Sequence, residues 1–66
     1  MGERNYYTLI VLFGDNWSPE FGDYDREVVV EEQDTYDREF KTRIICTGDR
    51  QFEITEAVRV QNIRFG

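Results

Sequence analysis

Histidine is absent from this sequence, and cysteine occurs once, at Cys46. Without histidine neither a Ser/His/Asp nor a Cys/His catalytic arrangement can be assembled, and Cys/His zinc sites are excluded as well. A lone cysteine forms no intramolecular disulfide, which fits a reducing, cytosolic setting. Set in a strand, Cys46 is expected to be buried as a small hydrophobe. No apolar run approaches the roughly 20 residues that a membrane span requires, and the opening MGERNYY has no signal-peptide core, so a soluble protein is expected. Gly14, Gly22 and Gly48 stand singly in turns, which is not the pattern of a phosphate-cradling loop. Calcium-loop spacing also fails: counted from Asp15 the sixth and twelfth positions are Glu20 and Arg26, and counted from Asp23 the sixth is Val28. No cofactor, metal site or enzymatic activity is expected, and calcium-dependent stabilisation through the oxygen ligands of DNWSPEFGDYDRE is a third, minor reading.

What is present is a single domain of 66 residues that is 39% hydrophobic and 15% aromatic, enough for a small core. Its charge is uneven. Residues 15–39 hold ten acids against Arg26 and Arg38, a net of minus eight, whereas residues 40–66 hold three acids against five bases, a net of plus two; with residues 1–14 neutral, the sum is minus six. Affinity for nucleic acid comes from neutralising phosphates, so this balance argues against direct nucleic-acid binding and for a basic protein partner.

YYTLIVLF is β-branched and aromatic on both alternating faces, Tyr6, Thr8, Ile10 and Leu12 against Tyr7, Leu9, Val11 and Phe13, and reads as a central strand. GDN turns the chain into a second strand at WSPEF, which Pro19 confines to a sheet edge. A helix is expected over 24–40, capped by Asp23, with a strand at EVVVEE as the alternative because three successive valines favour one. The helix gathers Val29, Gln33, Tyr36 and Phe40 on one face and Glu27, Glu31, Asp34 and Arg38 on the other. KTRIICT, residues 41–47, is a third strand. A second helix is expected over 49–62, capped by Asp49, with strand as the alternative, since Phe52 with Ile54 and Val58 with Val60 also alternate. The fold class is therefore α+β, ββαβα, with a three-stranded antiparallel sheet in the order 2-1-3. By analogy with split βαβ arrangements both helices are placed on one face, which leaves the other face of YYTLIVLF open.

YYTL, then Trp17, FGDYDREVV at residues 21–29, Ile44 with Ile45, and the spacing of Gln51, Ile54 and Val58 together resemble a group of small uncharacterised proteins of tailed phages and prophages. The resemblance covers nearly the whole chain. It departs at Gln61, where a leucine would stand. It implies a phage or prophage origin, and hence the cytoplasm of a bacterial host, and it adds no chemistry.

Two functional expectations result. In the first, a phage-derived accessory or inhibitor protein occupies a basic surface of a host protein, in the manner of anti-CRISPR proteins or DNA mimics, through Asp15, Trp17, Glu27, Glu31 and Asp34. Asp15, Glu20 and Asp23 would extend the helical row at one end, and Trp17 would serve as a hot-spot aromatic. Against this, an exposed helix face is normally charged, and Asp34 is expected to pair with Arg38. In the second, a structural or assembly protein homodimerises through the open sheet face.

Overall fold

In the computed structural model, which describes residues 5–65 and side chains through Ile63, Gly14 and Asp15 make the two-residue turn between β1 (Tyr6–Phe13) and β2 (Asn16–Asp23). Gly14 has φ of 65° and, among the described residues, no non-glycine residue has positive φ, the pattern of a type II′ hairpin, whose twist matches that of the strands. The pairing slips once: Leu9 stands opposite Phe21 but Ile10 opposite Pro19, so Glu20 is the extra residue of a bulge. β3 (Lys41–Thr47) pairs antiparallel with the other side of β1, which gives the order β2-β1-β3, and α1 (Arg26–Tyr36) and α2 (Gln51–Phe65) complete a small α+β domain of ββαβα type.

α1 is shorter than the 24–40 expected at both ends. Asp23 stays in β2 opposite Tyr7, and its carboxylate accepts from the Asp25 N–H at 2.8 Å; Asp25 is the cap, accepting from the Glu27 N–H at 3.0 Å. At the other end the helix stops at Tyr36. Asp37 accepts from the Thr42 hydroxyl, itself an acceptor from Gln33, and Phe40 turns away to meet Phe13 edge-on at 5.0 Å between ring centroids. The three valines stay helical despite their strand preference because Val29 packs on Leu9 and Val11, so tertiary burial outweighs propensity. α2 begins two residues later than expected. Asp49 accepts from the Tyr24 hydroxyl at 3.1 Å instead of capping; the Arg50 carbonyl takes the first helical N–H groups, and Glu53 reaches back to the Gly48 N–H at 3.0 Å.

The placement of both helices on one face is corrected by the packing. Ile10, Trp17 and Ile45 form one core with Val58 of α2, and Leu9 and Val11 form a second with Val29 of α1, on the opposite side of the sheet. β1 is apolar on both faces, and a strand of that kind needs a cover on each. Sharing a face would have left one set exposed; instead Leu9, Ile10 and Val11 are all 0% exposed. Each face of β1 is therefore packed against a helix among the described residues, in place of the open face expected. Cys46, expected to be buried, is exposed on β3 at the sheet edge.

Asn62 ties the far half of α2 to β2. Its side-chain amide accepts from the Trp17 N–H at 2.6 Å and donates to the Trp17 carbonyl at 3.2 Å, as the backbone of a neighbouring strand would. Asn62→Ala removes both bonds and is expected to lower stability by about 1–3 kcal/mol, measured by urea denaturation.

Candidate functional site

With one helix per face, the uneven charge of the sequence becomes an uneven charge in space. Residues 25–37, built around α1, hold six acids and one base, a net of minus five; residues 49–63, built around α2, hold three acids and two bases, a net of minus one. Glu27, Glu31 and Asp34 are all exposed on the outer side of α1, while Val29, Gln33 and Tyr36 turn inward, so the division of faces read from the spacing holds within the helix. Phe40 and Arg38, expected on those faces, lie beyond its end and are exposed. Seven residues at ~1.5 Å rise set the ends of this row roughly 10 Å apart.

The row is unneutralised. Among the described residues the only ion pair is Glu56 with Arg59, on the other helix, where the Arg59 hydrogen bond holds the Glu56 carboxyl below its ordinary value. The expected Asp34–Arg38 pair does not form, because α1 ends at Tyr36 and Arg38 lies beyond the helical turn that would bring it alongside. Glu27 is in the first turn, where its charge also complements the helix dipole.

The remaining residues expected at the site divide. Asp15 is exposed at the hairpin tip, at the end of the sheet where α1 stops, as the Phe13–Phe40 contact shows. Asp23, opposite Tyr7, is at the other end of β2, about 25 Å away at ~3.3 Å per residue. Asp15, Glu20 and Asp23 therefore do not extend the row at one end. Trp17 is 4% exposed, packed with Ile10, Ile45 and Val58 and covered by the Arg43 guanidinium 4.9 Å from its ring centroid. It is a core residue, and the partner-binding role expected for it is corrected.

A feature with no signal in the sequence lies on the α2 face. Between α2 and the β2 side of the sheet runs a groove of about 520 Å³, lined on the sheet by Tyr6, Thr8, Pro19 and Gly22. Thr8, 3% exposed, has a hydroxyl with no hydrogen-bond partner. Thr8→Val keeps the shape and removes the unsatisfied group, so it is expected to raise stability by about 1–3 kcal/mol, read as a higher urea midpoint.

Among the described residues no cluster of three or more cysteine, aspartate or glutamate side chains could hold a metal ion, and no helix is long and apolar enough to cross a membrane. No family model, no curated protein and no solved structure matches the chain.

Proposed function

We propose that this chain is a non-enzymatic interaction protein of phage origin that occupies a basic surface of a host protein in the bacterial cytoplasm. The observation that carries the reading is the row Glu27, Glu31 and Asp34: exposed, without an ion pair among the described residues and set on the more acidic of two oppositely facing helices. Asp15 lies beyond the end of the row and belongs to the same acidic side in this reading. Carboxylates that a rigid helix holds at fixed spacing present a preorganised line of negative charge, and a low count of nearby bases lets their field reach a partner before contact. A protein that handles nucleic acid offers a complementary groove, already shaped to accept phosphates. The mechanism is blockade: the acidic face fills the groove and excludes the natural ligand.

The test is competition. Immobilised protein is exposed to bacterial lysate, and the retained protein is identified, purified and challenged with duplex DNA. Displacement of the complex by DNA supports the reading. Retention of a partner that DNA cannot displace, through a surface lacking excess positive charge, counts against it. Homodimerisation through an open sheet face is not proposed, since both faces of β1 are covered.

A further inference from the structure

We propose that the groove on the α2 face is a binding site for a small neutral aromatic molecule carrying one hydrogen-bonding group. It is separate from the acidic side of α1, so its success or failure is independent of the function proposed above.

The groove exists because of what β2 lacks on this face. Toward Asn16 the strand presents Trp17, which fills the space beneath α2 and packs on Val58. Toward Asp23 it presents Pro19 and then, past the bulge at Glu20, Gly22, while the intervening Phe21, which also borders the groove, packs into the core under α1. The sheet side is therefore low, and the helix side is Ile54 and Val58 flanked by the polar Gln51, Thr55, Arg59 and Asn62, which leaves a slot with an apolar centre and a polar rim. A slot of this shape suits a ring, and about 520 Å³ falls within the ~300–1,000 Å³ of small-molecule sites.

Thr8 supplies the polar element. It stands directly across from Gly22, on the sheet face that lines the groove, and its buried hydroxyl is unpartnered. Buried polar atoms without a partner are rare, and a ligand group in the groove is a direct way to satisfy this one. The Tyr6 ring covers the position: a Cβ on Gly22 would lie 2.5 Å from the Tyr6 hydroxyl oxygen. Tyr6 is only partly buried and sits at the start of β1, edge-on to Tyr24 at 5.0 Å between centroids. In the proposed site the Tyr6 side chain would rotate off Gly22 to admit a ligand beside Thr8, and its ring would then serve as an aromatic wall. The rim sets the charge of the ligand, for its guanidinium, Arg59, is already bound to Glu56, and the remaining polar groups are neutral.

Phenol is the simplest probe of this chemistry. Titrated into the ¹⁵N-labelled full chain, it is expected to give saturable shift changes confined to Thr8, Gly22, Ile54 and Val58, with Thr8→Val binding it about tenfold more weakly for the loss of one hydrogen bond. Thr55→Trp, at an exposed position on the groove, is expected to fill the slot and abolish binding in a folded protein. Should that variant fail to fold, the Thr8→Val comparison decides alone. Shifts that never saturate and scatter over the exposed rings of Phe13 and Phe52 would overturn the proposal, as would Thr8→Val binding phenol as tightly as the unaltered chain, the result expected if water satisfies the hydroxyl.

Discussion

Leu9→Ala and Ile10→Ala are each expected to remove half or more of the stability of the domain, and the two together to leave no folded population. Both side chains are 0% exposed, yet they are adjacent in one strand and point to opposite faces, Leu9 into the core under α1 and Ile10 into the core under α2. Truncating a buried leucine or isoleucine to alanine costs about 2–5 kcal/mol. At ~0.05–0.15 kcal/mol per residue, a domain of this length has only about 3–10 kcal/mol in total. Urea denaturation followed by circular dichroism measures the loss. If either face of the sheet were open to water, one of the two substitutions would be tolerated within about 0.5 kcal/mol, so the pair also tests the two-sided packing.

The second large effect concerns the acidic face. Glu27→Lys with Glu31→Lys moves the net charge from minus six to minus two, each substitution adding two, and in the proposed complex it would turn two attractive contacts into repulsive ones. At about 1.5 kcal/mol for each close charge pair, the complex with the host protein is expected to weaken about a hundredfold or more. The fold should survive. Both carboxylates are exposed and outside any ion pair, and the principal loss is the dipole interaction of Glu27 in the first turn, about 0.3–1 kcal/mol. Isothermal titration of the partner, beside a denaturation curve for the variant, separates the two effects.

The parts of the fold that local chemistry decides were readable in the sequence. KTRIICT is strand β3 from Lys41 to Thr47, as its alternation implies, and the inward and outward residues of α1 divide as their spacing requires. The side of the sheet on which each helix lies was not readable from connections. Only residues 48–50 join β3 to α2, and a link that short can lead to either face. The deciding quantity was apolar area: two apolar faces on YYTLIVLF and one helix available for each. The cap of α1 moved from Asp23 to Asp25 for a related reason, because the ladder opposite Tyr7 holds Asp23 in the strand.

The site was legible to the same degree. Glu27, Glu31 and Asp34 follow from helical spacing alone. Trp17 does not, since its burial depends on Val58 and Asn62, more than forty residues away, meeting it across the sheet. The groove was invisible for a stronger reason: it requires Thr8 to face Gly22, and that register exists only because the bulge at Glu20 shifts the pairing by one residue.

The central claim is that the face formed by Glu27, Glu31 and Asp34 is a working surface, and the most direct measurement is the affinity for the host partner across a series of salt concentrations, for the unaltered chain and for Glu27→Lys/Glu31→Lys. Exposed charges are screened within about 10 Å at ~0.1 M salt, so the unaltered chain should lose affinity steeply as salt rises, and the variant should bind weakly throughout with little further change. An affinity that is independent of salt and equal in the two proteins would contradict the claim and return those glutamates to the role of a solvated helix face.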